Sequence, residues 1–212
     1  MNEQLLRYYF SNPRLHVYLA KTNSDFDKAI KLYLANIELS EAFYPVLSLL
    51  EISLRNAIHE TLKVHFQDEY WFENKLPNEF KVYVLEAIQK LTAQHKTITA
   101  DRIISELNFG FWNRLFNRNY TSLLWKPLRL VFKNTPKQLR QRDTIADSLY
   151  RIRKLRNRIY HYEPIFDNLQ DVINLYQEML SFLNWLDNDL PKILSEIDRF
   201  KLVYARLDAY II

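Results

Sequence analysis

The sequence contains no cysteine and only one glycine, Gly110, among its 212 residues. Without cysteine the chain can form neither disulfide bonds nor thiolate metal sites. Glycine normally makes up roughly 7% of a protein and supplies the positive-φ positions of tight turns, so its scarcity disfavours folds with many such turns. We therefore predict an all-α fold, in a single domain that spans residues 1–212.

Long apolar runs are also missing. Residues 1–7 lack the apolar segment of a signal peptide, and the longest apolar stretch, about residues 43–54, is interrupted by Pro45 and Glu51. No carboxylate cluster or His-x-x-x-His pair indicates a zinc or magnesium site. We therefore expect a cytoplasmic protein with no membrane span, no bound metal and no other cofactor.

Apolar side chains recur every three or four residues over most of the chain, which predicts helices. One such run covers residues 25–66, where Pro45 is expected to kink a helix or to separate two helices. A second run covers residues 78–94. Thr99 has the position of an N-cap for a further helix up to residue 107, and Gly110 is expected to end or bend that helix.

A basic helix is expected in the third quarter of the chain. Thr135 followed by Pro136 has the order of a helix start, and an apolar stripe continues from there to residue 159. Pro164 disfavours helical backbone at the residue before it. The helix is therefore expected to end at residue 163, with His161 in its last turn.

Two more helices are expected after Pro164. Asp167 and Gln170 have the spacing of a capping box, and apolar residues from 169 to 183 alternate in steps of three and four. A last helix is predicted over residues 190–210. No linker or internal repeat divides these segments, which agrees with one helical domain.

The net charge of +4 is distributed unevenly. Residues 126–161 contain eleven Lys and Arg against two Asp, a local charge of +9, whereas residues 162–212 carry a local charge of −5. A basic stretch of this kind is typical of surfaces that bind polyanions, although a solvated helix face explains it equally well. The candidate RNA contacts are Arg140, Arg142, Arg151, Arg153, Lys154 and Arg158.

Arg156, Asn157 and His161 carry the most specific chemistry. A guanidinium can hold a phosphate, an imidazole can move a proton and an amide can orient it. Asn157 and His161 share a helix face, whereas Arg156 lies about 140° away from His161 around the helix and must reach across or rely on a loosened last turn. The negative end of the helix dipole favours a protonated imidazole, as a general acid requires. A structural histidine is the alternative interpretation.

This Arg-Asn-x-x-x-His motif resembles that of the HEPN superfamily, many members of which are metal-independent ribonucleases. The chain is still more similar to the bacterial Abi-like, or abortive-infection, family. Three segments carry the resemblance: LLEISLRNAI at residues 49–58, LNFGFW at 107–112 and IRKLRNRIYHYEPI at 152–165. Relatives often have Ala and a second His where this chain has Tyr160 and Tyr162.

The resemblance implies a HEPN-like helical bundle with additional helices, in which Arg156 binds phosphate, His161 transfers a proton and Asn157 orients it. The 2′-hydroxyl of RNA then attacks its own phosphodiester, so neither a metal nor another cofactor is needed. The family further implies a homodimer with two motifs beside one groove, an RNA substrate and an RNA or protein antitoxin, in a toxin or phage-defence effector. A catalytically silent RNA-binding module and a protein-interaction scaffold are the alternatives.

A shorter version of the motif occurs earlier in the chain. Glu51 and Arg55 are four residues apart and are expected to form a helical ion pair, and Asn56 and His59 follow on the same helix. We interpret these four residues as polar core or as support behind the site rather than as a separate catalytic centre. The aromatic segment 109–112 could stack bases, but core packing is the better interpretation.

Overall fold

The computed structural model describes residues 3–211, and beyond residue 207 only the backbone is described. The described residues form helices joined by turns and contain no strand, which confirms the predicted all-α fold. The α-helices are α1 Glu3–Phe10, α2 Asn12–Lys21, α3 Phe26–Ala42, α4 Tyr44–Phe66, α5 Trp71–Asn74, α6 Lys81–Ala93, α7 Ala100–Glu106, α8 Phe109–Arg114, α9 Lys126–Leu128, α10 Arg142–Tyr160, α11 Leu169–Leu186, α12 Leu190–Ser195 and α13 Phe200–Ile211. Asn78–Phe80 and Arg118–Tyr120 are 3-10 turns, and Thr121–Trp125 is a π-helical turn.

The core is one continuous cluster of buried side chains that extends from Tyr18 to Leu207. α11 packs along α4, α3 packs against α2 and α13, and α10 packs against α8 and α11. In α4, the stripe of one buried face recurs in steps of three or four, as such a helix requires, at Leu47, Leu50, Leu54, Ile58 and Leu62. Within residues 3–211, no helix combines the length and apolar character needed to cross a bilayer.

Two of the predicted helix boundaries are confirmed. α3 ends at Ala42 and α4 begins at Tyr44, with Pro45 in the first turn of α4, where its missing N–H costs nothing. Thr99 caps α7, and its hydroxyl oxygen accepts a hydrogen bond from the Arg102 N–H at 3.4 Å. In both places a short-range signal decides the boundary.

The prediction that Gly110 ends or bends the preceding helix is wrong. α7 ends at Glu106, and Gly110 is the second residue of the separate helix α8, without a positive φ. Asn108 caps α8, and its side-chain oxygen accepts a hydrogen bond from the Phe111 N–H at 3.0 Å. A Cβ on Gly110 would come within 2.9 Å of that oxygen, so glycine permits the close approach of the capping side chain.

The predicted start of the basic helix at Thr135 and Pro136 is also wrong, because α10 begins at Arg142. Pro136 opens a single turn, in which its carbonyl accepts hydrogen bonds from the two N–H groups three and four residues later, at 2.9 and 3.0 Å. The guanidinium of Arg140 then binds the Thr135 carbonyl at 2.8 Å and closes the loop. These loop contacts prevent the turn from continuing into α10.

The proposed capping box of Asp167 and Gln170 is not formed. Asn168 caps α11 instead, and its side-chain oxygen accepts hydrogen bonds from the N–H groups of Gln170 and Asp171 at 3.0 and 3.3 Å. The Asp167 carboxylate pairs with Arg158 at 2.7 Å. A tertiary ion pair therefore outcompetes the local cap.

The last predicted helix is two helices, α12 and α13. Asp198, between them, accepts a hydrogen bond from the Phe200 N–H at 2.9 Å and thereby supports the start of α13. The Tyr176 hydroxyl of α11 donates a hydrogen bond to the same carboxylate. This contact from α11 holds the turn between α12 and α13. The apolar spacing of the sequence gives no sign of a break there.

Candidate functional site

The end of α10 positions Arg156, Asn157 and His161. Ile145, Leu149, Ile152 and Leu155 bury one face of α10, with spacings of three and four residues. His161 follows the last helical residue, so it lies just beyond the last turn in which it was predicted. Its backbone N–H donates to the Asn157 carbonyl at 2.9 Å, which continues the helical hydrogen bonding up to the histidine.

The Arg156 side chain is held on two sides. Its guanidinium carbon lies 4.2 Å from the ring centroid of Tyr160, one turn further along α10. Its Nε lies 3.6 Å from the Glu51 carboxylate of α4, and this nitrogen is buried without a hydrogen bond. Neither terminal nitrogen forms a hydrogen bond with the described residues. The planar guanidinium is therefore oriented by stacking and charge, while its terminal nitrogens stay available to a ligand.

Asn157 and His161 are exposed, and their side chains form no hydrogen bond within the described part of the chain. No hydrogen bond or ion pair joins them to the Arg156 side chain there. The three groups therefore lie at one end of one helix with free polar atoms, and no direct contact joins them within the described residues.

Four of the six candidate RNA contacts are engaged within the fold. Arg140 binds the carbonyls of Lys133 and Thr135, Arg142 binds that of Phe116, Arg151 binds the Glu178 carboxylate at 2.5 Å, and Arg158 binds the Asp167 carboxylate at 2.7 Å. Glu178 and Asp167 belong to the acidic C-terminal segment. Two of the eleven cations of residues 126–161 are therefore paired with carboxylates of that C-terminal segment, whereas Arg140 and Arg142 are bound by neutral carbonyls.

Arg153 and Lys154 differ from these four. Their cationic groups lie 5.7 and 5.8 Å from the ring centroid of Tyr150, and neither forms an ion pair with the described residues. Lys154 is exposed, whereas Arg153 is half-buried and its Nε has no hydrogen-bond partner. Lys154 also lines a cleft of about 580 Å³ between α10 and α11. Of the six, Lys154 is the side chain best placed to meet a polyanion.

The predicted ion pair between Glu51 and Arg55 is not formed. Glu51 faces Arg156, as described above, because α10 supplies a nearer cation than its own helix does. Arg55 donates instead to the Asn56 side-chain oxygen at 3.2 Å and to the Ser105 carbonyl at 3.3 Å. Glu51 therefore contacts Arg156 of the motif, whereas Arg55 and Asn56 belong to a different surface.

That surface is a cleft of about 460 Å³, which Arg55, Asn56 and His59 line together with Glu60, Asp101 and Ile104. His59 is only 3% exposed, and its Nδ1 accepts a hydrogen bond from the Trp71 indole N–H at 3.1 Å. Burial lowers the pKa of His59, and its Nε2 has no hydrogen-bond partner among the described residues. Neither Arg156 nor His161 lines this cleft, so His59 does not join the motif at the end of α10.

A groove of about 500 Å³ that the sequence did not indicate lies at the end of α10, where the residues on either side of His161 line it but His161 itself does not. Its walls come from α3, the start of α4 and the end of α10. Four tyrosines line it: Tyr33, Tyr44, Tyr160 and Tyr162. Tyr160 and Tyr162 flank the histidine in the sequence, but Tyr33 and Tyr44 lie more than 110 residues away, so only the tertiary fold brings the four together.

The aromatic segment 109–112 is core, as predicted. Phe109, Phe111 and Trp112 are buried, and the Trp112 ring contacts that of Trp71. These rings are therefore inaccessible to nucleobases. Among the described residues, no group of three or more His, Asp or Glu side chains is arranged to hold a metal ion.

Comparison of the chain with protein families, with curated proteins and with solved structures finds no match. No characterised relative found in this way therefore assigns a role to Arg156, Asn157 or His161.

Proposed function

We propose that the protein is a metal-independent endoribonuclease of HEPN type, in which Arg156, Asn157 and His161 bind and cleave RNA. The observation that carries the proposal is the combination of an oriented guanidinium with an unpaired amide and imidazole at the exposed end of one helix. The resemblance of residues 152–165 to the HEPN motif supports the same assignment.

In the proposed reaction, Arg156 binds the scissile phosphate through its free terminal nitrogens. The 2′-hydroxyl oxygen attacks phosphorus, its proton passes to a general base, and the bond from phosphorus to the 5′-oxygen breaks as an acid protonates that oxygen. His161 performs one of these proton transfers, and Asn157, on the same helix face, orients the reacting groups. The products are a 2′,3′-cyclic phosphate and a 5′-hydroxyl.

A second imidazole is proposed to come from a second copy of the chain in a homodimer. His59, the other histidine near a motif, is buried, hydrogen-bonded to Trp71 and part of another cleft. A two-fold axis that brings two α10 ends together would supply one histidine as base and one as acid. The family resemblance alone supports the further proposals of a toxin or phage-defence effector and of an RNA or protein antitoxin, whereas the lack of long apolar runs supports the proposal of a cytoplasmic protein.

RNA cleavage with and without EDTA tests the chemistry. We expect the wild type to cleave RNA in both conditions and to spare DNA, which lacks the 2′-hydroxyl. His161→Ala should reduce the cleavage rate by about 10²- to 10⁴-fold, as the loss of a general acid or base typically does. His65→Ala is the matched control, since this exposed histidine lies at the far end of α4 from the groove.

Three outcomes contradict the ribonuclease proposal. Cleavage that EDTA abolishes and magnesium restores would exclude the metal-independent mechanism. RNA binding without cleavage would favour a silent binding module, and the absence of both would favour a protein scaffold.

A mixing experiment tests the proposed homodimer: an excess of His161→Ala protein should suppress wild-type activity beyond simple dilution. Full activity of a strict monomer would refute the shared site.

A further inference from the structure

The groove beside His161 displays aromatic rings that the fold does not use. The side chains of Tyr44 and Tyr162 are 62% and 76% exposed, and that of Tyr160 is 48% exposed. Tyr33 forms a fixed wall because its ring packs against those of Phe10 and Tyr18. The rings of Tyr44 and Tyr162 contact no other ring in the described part of the chain.

Tyr162 has an unfavourable backbone conformation that contacts from the rest of the fold maintain. Its φ is 58°, in the left-handed region, which a bulky residue rarely adopts without compensation from its surroundings. That compensation comes from α2 and α3. Arg14 donates a hydrogen bond to the Tyr162 carbonyl at 2.5 Å, and the Asn36 amide binds the carbonyl of Glu163 and the N–H of Ile165 at 3.4 and 2.8 Å. The fold thus fixes the backbone and leaves the ring in solvent.

Tyr160 connects the groove to Arg156, the proposed phosphate-binding side chain. Tyr160 lines the groove and also carries the Arg156 guanidinium against its ring. A cation next to exposed aromatic rings matches the two parts of a nucleotide, an anionic phosphate and a flat base. Ser40, which also lines the groove, has a hydroxyl that forms no hydrogen bond in the described structure, so it can contact a polar base edge.

We propose that this groove binds a nucleobase of single-stranded RNA, at the nucleotide next to the phosphate that Arg156 holds. The inference rests on the proposed ribonuclease function and adds to it a site, lined by tyrosines, that recognises an unpaired base by stacking. In a duplex the base would be stacked inside the helix and could not enter the groove. Tyr44 and Tyr162 therefore act as stacking residues, and cleavage is confined to single-stranded regions.

The dimensions favour a base over a second protein surface. A volume of about 500 Å³ falls within the range of roughly 300–1,000 Å³ typical of small-ligand sites. A stable protein interface buries about 800 Å² on each partner, with aromatic anchors surrounded by a broad contact surface. Glu41, which also lines the groove, forms an ion pair with Arg199 at 2.5 Å, so a charged pair lies at the edge of an otherwise largely apolar groove.

Fluorescence anisotropy with short RNAs tests the proposal in a His161→Ala background, which prevents cleavage during the measurement. The probes are a labelled single-stranded RNA hexamer and a hexamer of the same backbone without bases, at one fixed salt concentration. Tyr162→Ala and Tyr44→Ala should each weaken binding of the base-bearing RNA by about 5- to 150-fold, the effect of losing one stacked base. Binding of the abasic RNA should stay unchanged, because Arg156 and Lys154 contact only phosphate.

Three further variants separate stacking from other causes. Tyr162→Phe keeps the ring and should keep the affinity. Tyr162→Gly suits the positive φ and should lose affinity as Tyr162→Ala does; retention of affinity by the glycine variant would show that backbone strain, and not the ring, causes the loss. Tyr70→Ala, at a partly exposed tyrosine outside the groove, should change nothing. Circular dichroism of each variant verifies that it is folded.

Several results would overturn the groove assignment. They are equal affinity for base-bearing and abasic RNA, equal losses for Tyr162→Ala and Tyr70→Ala, and no detectable RNA binding at all. A change from dimer to monomer in Tyr44→Ala or Tyr162→Ala, measured by light scattering, would instead assign the groove to a protein interface. The two proposals can be refuted separately. A preference for base-bearing RNA without cleavage would support the groove assignment and refute the ribonuclease function. Cleavage without a preference for base-bearing RNA would support the ribonuclease function and refute the groove assignment.

Discussion

Replacing Tyr162 by glycine and by alanine measures the backbone cost at the end of α10. The Tyr162 N–H donates to the Ile159 carbonyl at 3.0 Å, and the Glu163 N–H donates to the Arg158 carbonyl at 2.8 Å. These two bonds form a Schellman motif, in which the residue at the position of Tyr162 is most often glycine. Here it is tyrosine, with a φ of 58°. The comparison of glycine with alanine isolates the backbone because both substitutions remove the ring.

The expected difference follows from two opposing effects. The left-handed conformation costs an L-residue with a Cβ about 1–2 kcal/mol, whereas glycine adopts it freely. Glycine loses about 0.5–1 kcal/mol more chain entropy on folding than alanine. Tyr162→Gly should therefore be more stable than Tyr162→Ala by about 0.5–1 kcal/mol. For a chain of this length, such a difference raises the melting temperature by roughly 1–4 °C.

Urea unfolding monitored by circular dichroism measures this difference directly. Both variants should unfold with the same dependence on urea concentration, since they expose the same surface. An alanine variant as stable as the glycine variant would refute the assignment of strain at Tyr162. The tyrosine would then occupy this position at no cost, and its backbone conformation would no longer indicate that the ring is displayed for a ligand.

Three further predictions follow from the buried and paired charges. Because burial lowers the pKa of His59, the folded state favours the neutral imidazole. The free energy of unfolding should therefore fall as the pH drops below the ordinary histidine pKa of about 6.5, by at most about 1.4 kcal/mol per pH unit. Urea unfolding at pH 7.5 and 5.5 measures this dependence, which His59→Gln should reduce. Arg140→Ala should lower the free energy of unfolding by about 1–3 kcal/mol, measured by thermal unfolding, because two carbonyls lose a charged donor. Lys154→Ala should instead preserve stability and reduce the salt dependence of RNA binding by about one phosphate contact. The reverse pattern would contradict the structural role of Arg140 and the RNA-binding role of Lys154. Glu51→Gln should tighten RNA binding by less than about tenfold, since it removes a partly exposed carboxylate that competes with phosphate for Arg156. Weaker binding of the variant in anisotropy measurements would show instead that Glu51 holds Arg156 in the orientation that binds RNA.

The helical architecture was predictable because its signals are short-range. Apolar spacing within each segment defines α3, α4 and α11, and the caps depend on residues two or three positions apart. Pro45 and Thr99 mark boundaries by this local chemistry. The position of Arg156, Asn157 and His161 at one end of one helix also follows from their spacing, because a helix end is a local property.

Local signals failed where a distant group competed for the same side chain. Asp167 has the spacing of a cap but pairs with Arg158, and Glu51 has a cation one turn away but faces Arg156 from another helix. Likewise, the basic composition of residues 126–161 did not reveal that Arg151 is neutralised by Glu178 from α11. Charge counts along a sequence cannot distinguish a paired cation from a free one.

The tertiary structure alone decided which groups are available to a ligand. It buries His59 in a separate cleft, and it joins Tyr44 of α4 to Tyr160 and Tyr162 beside His161. The helices themselves follow from interactions within about four residues, which the sequence records directly. The groove depends on side chains more than 110 residues apart, and their meeting is determined by how the buried faces of the helices pack together.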